Sequence, residues 1–314
     1  MTAFKLPLRI GTRRSPLARA QAEMFRSQLS DVHGSLAAKD AIELVFIHTT
    51  GDKIQNRPLG DIGGKGLFTK EIDSALISGH IDVAVHSMKD VPTVLPEDLI
   101  ISCMLEREDP RDALITSSGV NLDGLPPGAS IGTASLRRRA QILARRPDLV
   151  VRPLRGNVDT RLKKLNAGVV DATLLAIAGL KRLGQSSVVT EVLSPEKMLP
   201  AVGQGAIGVA CRRANDQVLH LIMQLNHDAT ETAVRAERAL LARLDGSCET
   251  PIAALGTLDK MGHLTLSGLI AAVDGSTLIE EKIEGVSAEA GRLGEELGAR
   301  LLTKANSVSL TIKP

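Results

Sequence analysis

Ile81-Asp82-Val83-Ala84-Val85-His86-Ser87-Met88-Lys89-Asp90-Val91-Pro92 is the stretch whose reading decides the fold. Its β-branched residues Ile81, Val83 and Val85 lie in a short apolar run, which favours a buried strand, and Pro92 closes any regular element nearby. In an open α/β sheet, ligands bind in the crevice outside the carboxyl ends of the strands. Ser87, Lys89 and Asp90 arrive at that end together, bringing a hydroxyl, an ammonium and a carboxylate. Taken alone, the same residues also fit a solvated turn.

The 314 residues are 43% apolar, an ordinary content for a globular chain of about two or three domains. No apolar run reaches the roughly 18 residues that cross a membrane, and the first residues carry no signal-like apolar segment, so a cytoplasmic protein without a membrane partner is expected. Cys103, Cys211 and Cys248 are too far apart for the paired ligands of a zinc site, and no metal is expected. Lys and Arg total 38 against 36 Asp and Glu. A net charge so near zero gives no general attraction for nucleic acid. Within residues 131–165, however, Arg137, Arg138, Arg139, Arg145, Arg146, Arg152, Arg155, Arg161, Lys163 and Lys164 face only Asp148 and Asp159. With no Trp or Tyr and only four Phe, bases would find almost nothing to stack on. A small polyanion suits that block better than a nucleic acid.

Outward from the central strand, the order of elements is regular. Leu8-Arg9-Ile10 reads as a strand, and Ser15-Pro16 opens a helix with an N-cap serine and a proline at its first position. Arg13 and Ser15 thus fall in a strand-to-helix turn, where a guanidinium and free amides can meet an anion; a surface arginine beside a capping serine is the alternative. A strand at 42–47 precedes the stretch 49–66, which carries Gly51, Gly60, Gly63, Gly64 and Gly66 and reads as a mobile cover. Its Gly-Gly-Lys-Gly lacks the Ser or Thr that follows the lysine of a phosphate loop. Phe68, Ile72 and Leu76 mark the next helix, stopped by Gly79.

A strand at 99–104 leads into Glu106-Arg107-Glu108-Asp109, a domain junction. Thr133-Ala134-Ser135 caps a helix that puts Arg137 and Arg138 in its first turn, where cations oppose the helix dipole by about 0.3–1 kcal/mol each and call for an anion. A strand at 149–154 ends in Arg155-Gly156-Asn157, with Arg161 early in the helix after it. A strand at 169–177 ends at Ala178-Gly179-Leu180-Lys181-Arg182. Pro200 to Ala210 reads as a glycine-rich hinge running into a strand. From about His227 the pattern becomes helix, three strands, helix, a small α+β domain. Cys248 lies in its first loop, Gly246-Ser247-Cys248, an accessible setting for a thiol.

These segments together resemble a known family. Ser87-Met88-Lys89-Asp90, Gly132-Thr133-Ala134-Ser135-Leu136-Arg137-Arg138, Arg155-Gly156-Asn157-Val158, Ala178-Gly179-Leu180-Lys181-Arg182 and the Gly-Ser-Cys loop match the porphobilinogen deaminases, also called hydroxymethylbilane synthases, in order and over nearly the whole chain. The resemblance implies an α/β fold: two doubly wound domains like those of a type II periplasmic binding protein, plus a small α+β C-terminal domain. The expected domains are 1–105 with 206–227, then 106–205, then 228–314. It implies a transferase that condenses four porphobilinogen molecules, with loss of ammonia, into the linear tetrapyrrole 1-hydroxymethylbilane. The primer would be a dipyrromethane cofactor in thioether linkage to Cys248. Asp90 would be catalytic, stabilising positive charge on a pyrrole nitrogen as ammonia leaves.

Each pyrrole bears an acetate and a propionate, which explains physically why such a family needs arginines. By position, Ser87, Lys89, Thr133, Ser135, Arg137 and Arg138 would hold the cofactor, while Arg13, Ser15, Arg155, Arg161 and Arg182 would meet porphobilinogen or the growing chain. Phe68 would lie just behind the cover. A monomer is implied. Ser247, Ala134 and Ala210 depart from the family's usual glycine, serine and acidic residue, and none of the three replaces a charged catalytic group. A non-catalytic anion-binding module on the same scaffold is the alternative, although it would need no cysteine-bearing third domain.

Overall fold

The computed structural model describes residues 6–53, 66–244, 250–308 and 310. In chain order the first elements are β1 (Leu8–Arg13), α1 (Pro16–Val32), β2 (Ile42–Ile47), α2 (Thr50–Lys53), α3 (Lys70–Ile77), β3 (Val83–Ser87) and β4 (Leu99–Met104). Then come β5 (Asp112–Thr116), β6 (Ser130–Gly132), α4 (Leu136–Arg145), β7 (Val150–Arg152), α5 (Val158–Asn166), β8 (Ala172–Ala176), α6 (Ile177–Arg182) and β9 (Glu191–Val192). The chain ends with β10 (Ile207–Arg212), α7 (Asp216–Met223), α8 (Asp228–Arg243), β11 (Ile252–Leu258), β12 (His263–Ala271), β13 (Leu278–Val286) and α9 (Ala290–Ser307). Of the glycine-rich stretch 49–66, residues 50–53 form the one-turn helix α2, and the rest of the expected cover, 54–65, lies outside the described residues.

Two compact units result, one of residues 6–53, 66–108 and 206–231, the other of 109–205 and 232–310 as far as described. The first holds a five-stranded sheet ordered β2-β1-β3-β10-β4. β1 runs parallel to β2 and β3, and β10 runs antiparallel to both β3 and β4. Because side chains alternate along a strand, Val83 and Val85 pack on one face with Phe25 and Leu29 of α1 and Val218 and Ile222 of α7. Ala84 turns to the other face, towards Ile72 and Leu76 of α3. Burial on both faces explains why this strand is an unbroken apolar run rather than an alternating one.

The second unit repeats the arrangement in a sheet ordered β7-β6-β8-β5-β9, with β6 parallel to β7 and β8, and β5 antiparallel to β8 and β9. Helix α4 covers one face, where Ile142 meets Leu114, Ile131 and Leu174. On the other, Leu165 and Leu180 pack with Ala113, Ile115 and Leu175. The same unit contains a three-stranded antiparallel sheet, β11-β12-β13, on which Leu240 of α8 and Leu293, Leu297 and Leu301 of α9 build a separate core. The fold is α/β, two mixed sheets wrapped by helices with a small α+β domain at the C-terminal end.

The three-stranded sheet is seated on α4. Ala140 of α4 packs with Ala253, Leu255, Leu269 and Ala271. At the β12–β13 turn Gly275 has φ +76, and a Cβ there would lie 2.5 Å from the backbone N of Ala144 and 2.8 Å from the carbonyl O of Ala140. Only glycine allows that approach.

Several boundaries differ from the sequence expectation. The strand expected at 169–177 begins at Ala172, because Gly168, at φ +70, turns the chain and leaves Val169 exposed. Its expected tail is not a strand end but α6, which puts Arg182 in a last helical turn. Helix α7 follows β10 where the sequence pattern marks no element, capped by Asn215, whose side chain accepts from the Val218 N–H. Among the described residues no helix is long and apolar enough to cross a membrane.

Candidate functional site

Parallel pairing of β1 with β3 brings their carboxyl ends to one edge of the first sheet. Arg13 ends β1, Ser15 caps α1 by accepting from the Ala18 N–H at 3.3 Å, and a 3-10 turn after β3 carries Met88, Lys89 and Asp90. Arg13, Ser15, Gln21, Phe68, His86, Ser87, Lys89 and Asp90 line one hollow there. The Arg13 NH1 lies 3.4 Å from Asp90 Oδ2, and its guanidinium carbon stands 4.2 Å above the Phe68 ring centre. Both side chains of that ion pair are partly exposed, at 22% and 28%, so a ligand can reach them.

Gln21 and His86 are functional candidates that the sequence reading did not single out. Gln21 is buried, donates from Nε2 to Ser87 Oγ at 2.8 Å and accepts from that hydroxyl at 3.1 Å. The signal was present: a polar residue on a helix face otherwise made of Ala18, Ala22, Phe25 and Leu29. His86 is buried, and burial together with the charge of Arg13 lowers its pKa to about 4, so it stays neutral near pH 7.

In the second unit Thr133 and Ser135 follow β6. Thr133 Oγ1 accepts from the Ser135 N–H at 3.1 Å, and Ser135 Oγ accepts from the Arg138 N–H at 3.4 Å as the N-cap of α4. Arg137 and Arg138, in the first turn, are buried. One carboxylate of the chain itself faces them. Asp112 is fully buried, with Arg138 NH2 2.7 Å from Oδ1 and Arg137 NH1 2.8 Å from Oδ2. Burial alone would raise this carboxyl's pKa, but the two guanidiniums outweigh it and hold the group well below the usual carboxylate range. Asp112 reaches them because β5 runs antiparallel to β8, which sets Asp112 opposite Ala176 at the carboxyl end of β8.

Arg155 is half-buried after β7, and its guanidinium has no partner among the described residues. Arg161, in α5, donates from Nε to the Gly156 carbonyl at 2.9 Å. Its pKa falls to about 10 through burial and the neighbouring charges of Arg138 and Arg155. Arg182 donates from NH2 to the Gly205 carbonyl at 2.6 Å. Arg138 and Arg155 thus lie close enough for their charges to be felt at Arg161, a local excess of positive charge in this unit. Cys248 lies outside the described residues. Cys103 is buried, its thiol pushed up to about 12 by burial and by Glu231, and Cys211 is raised by burial too. Neither offers a ready thiolate.

Two five-stranded mixed sheets wrapped by helices, each with charged and polar residues at its strand ends, place the chain in the α/β class. The chain belongs to the porphobilinogen deaminase family. Residues 8–220 match the model described as "Porphobilinogen deaminase, dipyromethane cofactor binding domain", and residues 231–303 match the family's C-terminal domain. A Pisum sativum protein named "Porphobilinogen deaminase, chloroplastic" is 55% identical over 301 residues, covering 95% of this chain and 82% of its own. A Syntrophotalea carbinolica protein named "Porphobilinogen deaminase" is 52% identical over 297 residues, covering 95% and 93%. Among solved structures, a TRAP periplasmic solute-binding protein from Desulfovibrio salexigens has a TM-score of 0.43 and 12% identity, covering 71% of this chain and 73% of that one. The fold class rests on the strand orders rather than on that likeness.

Proposed function

We infer that this protein is a transferase of tetrapyrrole biosynthesis, condensing four porphobilinogen molecules with release of ammonia into 1-hydroxymethylbilane. The match of residues 8–220 to the dipyrromethane cofactor-binding domain carries the reading. When bound, the dipyrromethane supplies the primer to which the first porphobilinogen is joined. The residues present fit such a group. The buried Nε–H of Arg137 has no acceptor among the described residues, and Arg137 and Arg138 together face the single carboxylate of Asp112. Cys248 is assigned its thioether, and Thr133, Ser135, Arg137, Arg138, Ser87 and Lys89 its carboxylates.

Asp90 carries the proton and charge handling. As ammonia leaves porphobilinogen, positive charge develops on the pyrrole nitrogen, and a carboxylate within hydrogen-bond reach stabilises it and takes up a proton. Arg13 orients Asp90 through the 3.4 Å contact, while its stacking on Phe68 limits how far it swings. A neutral His86 beneath adds no competing charge. Arg155, Arg161 and Arg182, with Arg13 and Ser15, receive the acetate and propionate arms of porphobilinogen and the growing chain. Three domains complete the reading, 1–105 with 206–227, 106–205 and 228–314, each supported by its own core. The working state is a cytoplasmic monomer that binds no nucleic acid and no membrane.

Intact-protein mass spectrometry tests the assignment. The purified chain is expected to carry the added mass of two linked pyrroles, and Cys248→Ala is expected to lack it. An unmodified wild-type chain that still forms product would contradict it.

A further inference from the structure

Asp112 is the carboxylate that two buried guanidiniums share. Arg138 Nε and NH2 both donate to Oδ1, at 3.1 and 2.7 Å, and Arg137 NH1 lies 2.8 Å from Oδ2. Further donors of the pair go to main-chain carbonyls, Arg137 NH1 to Leu199 and Arg138 NH1 to Leu174, each at 2.7 Å. These acceptors are neutral. Two guanidinium charges less one carboxylate leave one positive charge in a site whose side chains are 5%, 7% and 0% exposed. The Arg137 Nε–H is buried there without an acceptor among the described residues. A buried net charge with an unused donor is costly, and a second anion relieves both. Gln204 holds the first carboxylate in place, its Nε2 donating to Asp112 Oδ1 at 3.0 Å and to the Pro110 carbonyl at 2.7 Å.

We propose that Asp112 is a positioning residue that supplies half of the counter-charge of Arg137 and Arg138, and so limits the pair to one carboxylate of the bound oligopyrrole. The inference rests on the dipyrromethane reading above. It makes the number of ligand carboxylates at this pair a matter of charge balance, set by a residue that need not touch the ligand. Where Asp112 faces a single arginine, the pair position itself is neutral, and the pull on a ligand anion is left to the neighbouring Arg155 and Arg161. Where neither Asp112 nor Arg137 is charged, the lone Arg138 again carries one positive charge and takes one carboxylate.

Asp112→Asn alone leaves two buried arginines unpaired and is a poor test, because it can fail to fold. The informative pair is Arg137→Gln and the double variant Arg137→Gln with Asp112→Asn. Intact-protein mass spectrometry gives the fraction of chains carrying the two-pyrrole adduct. The adduct-dependent rise in thermal midpoint, measured against the same chain with Cys248→Ala, gives its grip. Arg137→Gln is expected to lower that fraction or that rise several-fold, and the added Asp112→Asn to restore at least half of the loss. A purely structural Asp112 predicts the reverse, since a second lesion in one network deepens the first. A double variant no better than Arg137→Gln, or unfolded, overturns the proposal while a loaded wild type leaves the functional reading standing. A wild type without adduct removes both.

Discussion

Arg13 Nη1 lies 3.4 Å from Asp90 Oδ2, joining the end of β1 to the turn after β3 across one sheet edge. The carboxylate is therefore held by a cation yet remains partly open to a ligand. Asp90→Asn keeps the shape and removes the charge, so kcat is expected to fall about 10²–10⁴-fold, the usual contribution of positioned acid–base groups. Folding and the Cys248 adduct should survive. Near-normal turnover in steady-state assays would take Asp90 out of the reaction.

Arg13→Lys retains a positive charge but loses the planar fork and its stacking on Phe68. With about 0.5–1 kcal/mol from the stacking alone, a decrease in kcat/KM of at least several-fold is expected. Phe68→Leu should reproduce part of that loss, and a double-mutant cycle on kcat/KM measures the share they hold in common.

Arg155→Leu removes a guanidinium that has no partner among the described residues, so the fold should not notice. A lost charged hydrogen bond of about 1.5–3 kcal/mol corresponds to a KM for porphobilinogen raised roughly 10- to 100-fold. Unchanged KM with an unchanged melting curve would place Arg155 outside the binding path.

His86 gives the fold a pH dependence of definite sign. Its folded pKa of about 4 lies below the ordinary histidine value of 6.5, so between those limits the unfolded chain binds more protons. The stability it contributes is present above pH 6.5 and is lost as the pH falls towards 4, by about 3 kcal/mol from the size of the shift. Urea midpoints measured across that window should fall for the wild type, and the slope should flatten in His86→Gln. Parallel slopes would refute the assignment.

Gly275→Ala and Gly262→Ala both place a side chain at positive φ, +76 and +81. Strain of about 1 kcal/mol is common to the two. Only at Gly275 does the new Cβ meet backbone, 2.5 Å from the Ala144 nitrogen of α4, whereas at Gly262 the nearest neighbour among the described residues is Ser287 Oγ at 3.7 Å. Gly275→Ala should therefore lower the thermal midpoint further, and equal shifts would mean that the turn yields without disturbing α4.

The strands and caps were legible because their causes are local. β-branched runs, Ser15 before Pro16, Ser135 before Leu136 and Asn157 before Val158 each fix backbone angles within a few residues, and the helices begin where those caps stand. Val169 misled because it continues an apolar run, while the turn at Gly168 leaves it outside the sheet. Gln21 and His86 sat unmarked in apolar stretches, since nothing local says that Ser87 and Arg13 lie beside them.

The sequence by itself determined the fold class, the family and the set of charged groups at the strand ends, because periodicity, capping and motif order are written along the chain. It also led to the expectation of a bound anion at the first-turn arginines Arg137 and Arg138. Only the tertiary structure decided that a residue of the chain, Asp112, already faces them, through an antiparallel register that sets it opposite Ala176 and beside Arg138, whose position in the chain is 26 residues away. Charge pairing acts through space, and strand pairing between distant segments chooses which charges meet.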